Sequence, residues 1–154
     1  MQFVKESRFA VPAAQLWAFH ERPDAFALLS PPWQRTEIIQ APTSLAVGTV
    51  VRLKVKMPGL PLWQTIEAEH TEYERGHFFV DKMNRGPFAA WVHRHIIEAD
   101  GPNASKLIDQ VDYELPFGSL GRIFGAGVAR RQLEKLFTFR HEVTQREVNL
   151  AAQR

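Results

Sequence analysis

The chain has 154 residues, 45% apolar and 23% charged, which is the scale of one domain able to build a core and argues against general disorder. Lys and Arg outnumber Asp and Glu by 19 to 17, a net charge of +2 with the signs interspersed, so no nucleic-acid-binding stripe is expected. Cysteine is absent, which removes disulfides, thiolate metal sites and cysteine nucleophiles together.

Apolar runs are only a few residues long, so no membrane span is expected, and the N-terminus lacks a basic-then-apolar signal pattern. The expected location is the cytoplasm. Eleven Phe, four Trp and two Tyr are a large ring surface for a small core, and part of it is expected to line a pocket.

Residues 2–10 alternate and stop before Pro12, which predicts a strand, with Pro12 opening a short helix over AAQLWAFH. A second short helix is expected over Asp24–Leu29, ended by Ser30-Pro31-Pro32-Trp33. Strands follow at 34–41 and 48–56, the second with Val51, Leu53 and Val55 on one face and Arg52, Lys54 and Lys56 on the other. Met57-Pro58-Gly59-Leu60-Pro61 reads as a turn. Strands at 62–74 and 77–84 meet near Arg75-Gly76, and 87–99 with 105–115 form a hairpin about Asp100-Gly101-Pro102-Asn103. A Gly-containing loop at 117–121 leads into one long helix, about Leu120 to Val148, with Ala126, Ala129, Leu133, Leu136, Phe137 and Val143 on one face. Residues 1–149 are expected to form the domain and 150–154 a frayed tail. Short connections make the sheet antiparallel, and the long helix must bury its stripe on the concave sheet face. The fold class is α+β, with a cavity expected between sheet and helix.

Several segments resemble the helix-grip fold of the START/Bet v 1-like (SRPBCC) superfamily. Residues 10–20 (AVPAAQLWAFH) are similar to its opening. Residues 29–33 (LSPPW), 86–95 (GPFAAWVHRH), 107–118 (LIDQVDYELPFG) and Phe137-Thr138-Phe139-Arg140-His141 resemble a bacterial, ligand-binding, polyketide cyclase/dehydrase-like branch. The resemblance implies a curved antiparallel sheet of six to seven strands wrapped around one long C-terminal helix, with two short helices after the first strand. The superfamily hosts lipid carriers, cyclases and chaperone activators, so fold alone does not choose among them.

Within the 87–115 hairpin, the even-numbered face carries most of the charge and is assigned to solvent. The odd-numbered face then carries Trp91, His93, His95, Asp109 and Tyr113 inward. A turn centred near Pro102 sets His95 opposite Asp109 and Trp91 opposite Tyr113, close enough for the carboxylate to orient the imidazole. That pair has three readings: a satisfied structural cluster, an anchor for the polar end of a ligand, or a general base with its orienter.

His93 and His95 with Asp109 also form a possible metal-ligand set, but residues two apart on a strand are a weak signal, and no metal or other cofactor is expected. Arg140, on the buried stripe of the long helix, calls for an anionic partner, with Asp109 and Asp81 as candidates. Gly118, Gly121, Gly125 and Gly127 imply either close packing or room for a ligand. Trp33, Met57, Leu60, Leu62 and Trp63 lie in connections, where they either gate a pocket or cover the core.

The leading expectation is a module binding a small hydrophobic or aromatic molecule such as a lipid, quinone, polyketide or isoprenoid. Trp91, Tyr113, Phe117, Phe124, Leu133 and Phe137 would form the walls, and His93, His95, Asp109 and Arg140 would orient the polar end. The alternatives are a cyclase or dehydratase using His95 and Asp109, and a protein-interaction module of the chaperone-activator kind. Oligomeric state is left open.

Overall fold

The computed structural model describes residues 1–56 and 61–153, with Phe124 described by its backbone alone. The element order is β1 (Gln2–Phe9), α1 (Ala13–His20), α2 (Ala25–Leu28), β2 (Thr36–Gln40), β3 (Val50–Lys56), β4 (Trp63–Glu74), β5 (Phe78–Arg85), β6 (Ala90–Ala99), β7 (Ser105–Glu114) and α3 (Gly118–Ala152). The seven strands form one antiparallel sheet in the order β1-β7-β6-β5-β4-β3-β2. Consecutive strands pair through short turns from β2 to β7, and β1 closes onto β7. This is the expected helix-grip arrangement.

Local chemistry accounts for the punctuation. Pro12 cannot donate a ladder hydrogen bond, but its carbonyl accepts from Gln15 and Leu16 at 3.0 and 3.2 Å, starting α1. Gly76 and Gly101 have φ of 83° and 95°, left-handed values that the β4–β5 and β6–β7 turns need and that glycine adopts without strain. The Met57–Leu60 part of the expected turn lies outside the described residues.

Two boundaries differ from expectation. Strand β6 begins at Ala90 instead of 87, so Phe88 escapes the strand alternation. It packs against Trp91 and Tyr113, with ring centroids 4.9 and 5.5 Å away, and not on the solvent side. Helix α3 continues to Ala152, so residues 150–152 extend the helix where fraying was expected.

The long helix packs principally on β1 and β7, with α1 against its other end. One core cluster gathers Phe9, Leu16, Trp17, Phe79, Ile97, Leu107 and Val148 near α1. The other gathers Phe3, Trp91, Val111, Tyr113, Leu133 and Phe137 against the middle of α3. Each buried Phe or Leu contributes roughly 1.5–3 kcal/mol of hydrophobic stabilisation. Two of the glycines at the head of α3, Gly121 and Gly125, serve close packing. A Cβ on Gly121 would overlap the Pro116 carbonyl oxygen, and one on Gly125 would lie 3.3 Å from the Leu115 side chain. Among the described residues, no helix is long and apolar enough to cross a membrane.

Candidate functional site

Between the two apolar clusters lies a layer of buried polar side chains. Strand alternation turns odd-numbered residues of β6 and β7 toward α3, and the register sets His95 opposite Asp109 and Trp91 opposite Tyr113, as expected. The adjoining β5–β6 register sets Asp81 opposite His93. From α3, His141 lies one turn beyond Phe137 and reaches the same layer.

Asp109 is the hub. Its Oδ1 lies 2.8 Å from His93 Nε2 and 3.0 Å from His95 Nδ1, and its Oδ2 lies 2.8 Å from His141 Nε2. Asp81 Oδ2 lies 3.2 Å from His93 Nδ1 and 3.1 Å from His95 Nε2. His141 Nδ1 meets Ser7 Oγ on β1 at 2.7 Å. The His95 ring stacks on Phe79 at 4.0 Å, and Phe137 sets its edge against His93 at 5.0 Å. The expected pair is thus one edge of a network spanning β1, β5, β6, β7 and α3.

Burial alone would raise the Asp109 carboxyl. Hydrogen bonds from His141, His93 and His95 outweigh it and hold the group well below the usual carboxylate range. Asp81 is likewise lowered, by His93 and His95 against the opposing effect of burial. For His93, burial disfavours charge, but Asp81 and Asp109 push its pKa up to about 9. Two nearby histidines behave oppositely. Burial drives His20 down to about 4 and lowers His70, whose Nδ1 has no partner among the described residues.

Arg140 does not make the expected ion pair. Its Nε donates to the Leu29 carbonyl at 3.3 Å, and its guanidinium lies 5.4 Å from the Phe137 ring centroid. Burial lowers its pKa while the fields of Asp109 and Asp81 oppose the shift. A helix side chain can approach the carboxylates without contact when the helix axis lies over β1 and β7.

Trp91, Tyr113, Leu133 and Phe137, expected as pocket walls, pack together in one buried core cluster. Phe117 does not: it is 85% exposed, at a left-handed φ of 67° just before α3, and lies away from the network. The side chain of Phe124, and the positions Met57 and Leu60, lie outside the described residues. Trp33, Leu62 and Trp63 are exposed, with Lys135 over the Trp33 ring at 4.4 Å. A groove of about 480 Å³ runs beside Trp33 and Phe139, on the α3 face turned away from Leu133, Phe137 and His141. It holds no network residue, so it is surface relief and not the candidate site.

The sequence names Asp81 only as a candidate partner for Arg140, and it singles out neither His141 nor Ser7; signals for Asp81 and His141 are nevertheless present. Asp81 alternates with Phe79 and Met83 on β5, a carboxylate on an apolar face, and His141 follows Leu133 and Phe137 at four-residue spacing.

The polyketide cyclase/dehydrase and lipid transport family profile matches residues 9–137, most of the chain. The chain belongs to this family. No curated protein matches it in sequence. Among solved structures, norcoclaurine synthase from Thalictrum flavum is similar with a TM-score of 0.74 at 14% identity, over 99% of this chain and 96% of that one. A Streptomyces aromatase/cyclase is similar with a TM-score of 0.66 at 16% identity, over 100% and 94%. A Thermus thermophilus protein gives 0.68 at 14%, over 98% and 99%. At these identities the likeness speaks to fold. The family member described here has the helix-grip frame with a polar layer built from its own Asp and His residues.

Proposed function

We propose that the protein binds a small hydrophobic or aromatic molecule between the concave sheet face and α3, with the polar layer orienting the ligand's polar end. One observation carries this reading. Because α3 sits over β1 and β7, the concave face of β3 to β5 keeps Leu53, Ile66, Ala68 and Met83 half-buried beside the network. At the same edge, Asp81 and His95 side chains retain 18% and 14% exposure. An apolar floor ending at a few convergent polar groups is the usual make-up of a small-molecule site.

Every described contact to the Asp81 carboxylate falls on Oδ2, leaving Oδ1 to accept a hydrogen bond from a ligand hydroxyl. Family membership supports the reading. So does the Thalictrum synthase, which shares the fold and whose structure is in complex with dopamine and hydroxybenzaldehyde, two small aromatic molecules.

Cyclase chemistry with His95 as base has less support. Both its ring nitrogens already face carboxylates, at 3.1 and 3.0 Å, so a substrate proton would compete with Asp81 and Asp109 for them. No observation favours the chaperone-activator reading.

The test is native mass spectrometry of the full chain, followed by titration with fatty-acid and bicyclic aromatic probes read by tryptophan emission. Saturable one-to-one binding, abolished by Met83→Trp in a protein that keeps its circular dichroism, is expected. No co-purifying molecule and no saturable probe binding would overturn the proposal.

A further inference from the structure

We propose that Asp81, His93 and His95 form a site for a divalent transition-metal ion of the zinc or ferrous class. One ligand atom from each of the three lies within 4.8 Å of the others. His93 and His95 alternate on β6 and so project from the same face, and Asp81 faces His93 from β5. The edges Asp81 Oδ2 to His93 Nδ1 and Asp81 Oδ2 to His95 Nε2 measure 3.2 and 3.1 Å. With metal–ligand bonds of about 2.1 Å, neighbouring ligand atoms stand about 3.0 Å apart at right angles and about 3.4 Å apart at tetrahedral angles. Both edges fall in that interval. Two imidazoles and a carboxylate favour zinc or iron over calcium or magnesium, which prefer all-oxygen sets.

The outward sides of the two rings carry the second argument. His93 Nε2 and His95 Nδ1 both point to Asp109 Oδ1, at 2.8 and 3.0 Å. Metal-bound imidazoles characteristically give their other N–H to a carboxylate, which fixes the tautomer and turns the remaining lone pair toward the metal. His93 Nε2 is hydrogen-bonded to Asp109 Oδ1 and His95 Nδ1 lies 3.0 Å from the same oxygen, so Asp109 backs both rings while Asp81 Oδ2 stands against their inner nitrogens.

Asp109 is held in turn by His141, and His141 by Ser7. The sequence pattern pointed to Asp109 as the carboxylate of such a set. The tertiary structure makes Asp81 the ligand and places Asp109 behind the rings. Asp81 and Asp109 balance a divalent charge. The Asp81 and His95 edge, with 18% and 14% exposure, provides the entry, and three protein ligands leave coordination positions open.

The inference does not depend on the apolar-ligand reading, because metal binding is measured with no organic molecule present. The full chain, stripped with EDTA and dialysed, is titrated with Zn²⁺ by calorimetry and with Co²⁺ by visible absorption. The expected result is one ion per chain, with Co²⁺ ligand-field bands displaced by Zn²⁺. Asp109→Asn should weaken binding about 10–100-fold, and Asp81→Asn should weaken it more. His77→Ala, an exposed histidine on the β4–β5 turn, should leave it unchanged. Should the variants fail to fold, NMR of the wild type with Co²⁺ tests the same claim: the His93 and His95 ring signals should be the first perturbed. Absence of saturable binding, affinity equal to wild type in folded Asp81→Asn, or perturbation confined to His77 would overturn the proposal.

Discussion

His20 provides a quantitative test of how burial controls ionisation in this fold. It ends α1, donates from Nδ1 to the Leu16 carbonyl at 2.9 Å, and lies among Phe19 and Phe79. The titratable groups whose fields reach it are His95, Asp109 and His141. Burial lowers its pKa from 6.5 to about 4. As pH falls, the unfolded chain therefore takes up a proton before the folded chain does. The contribution of neutral His20 is fully present above about pH 6.5 and is lost as pH falls toward 4.

A shift from 6.5 to about 4 corresponds to about 3 kcal/mol in full, and to about 2.5 kcal/mol between pH 7 and 4.5. Urea unfolding followed by tryptophan emission, in EDTA, would register this as a midpoint loss of about 1–2 M. The measurement compares wild type with His20→Phe at both pH values. The variant carries a constant packing cost at every pH but no titrating ring, so its pH-dependent loss should be smaller by about 2.5 kcal/mol. Equal losses in the two proteins would refute the burial argument, since the acid sensitivity would then arise elsewhere.

Other perturbations follow from the same geometry. Phe137→Ala removes a ring with 0% exposure that touches Phe3 and His93, and should cost about 3–5 kcal/mol in chemical denaturation. Asp109→Leu leaves three histidines without their shared acceptor and should cost a similar amount, about 3–5 kcal/mol, by the same measurement. Gly127→Ala meets no atom within 4 Å and removes helix-interior backbone freedom, so it should stabilise by up to about 1 kcal/mol in thermal unfolding. Gly121→Ala, six residues earlier on the same helix, should destabilise instead, because the new methyl meets the Pro116 carbonyl. If both alanines shifted the melting temperature alike, the packing account of the helix entry would be wrong.

Much of the site was legible because strands have a strict period of two. Once the β6–β7 turn was placed near Pro102, the facing of His95 by Asp109 and of Trp91 by Tyr113 followed from counting. Counting failed at Phe88 because the strand begins later, and there tertiary packing sets the side-chain direction. It also gave no answer for Arg140. Helical periodicity puts that residue near the buried stripe, but a small rotation of the helix decides between a carboxylate and the Leu29 carbonyl.

From sequence alone, this protein's architecture was determined: alternating strands with short turns, one amphipathic helix, and an odd-numbered hairpin face carrying rings, imidazoles and a carboxylate. Those features arise from periodicity and turn chemistry, which act between neighbours in the chain. Only the tertiary structure decided that Asp81, His93, His95, Asp109, His141 and Ser7 form one network, and that Phe117 stays outside it. These residues come from four strands and a helix, and their meeting depends on inter-strand registers and on where α3 lies across the sheet. No local pattern encodes a helix's position over a sheet; packing against β1 and β7 sets it, and with it which polar groups share a buried space.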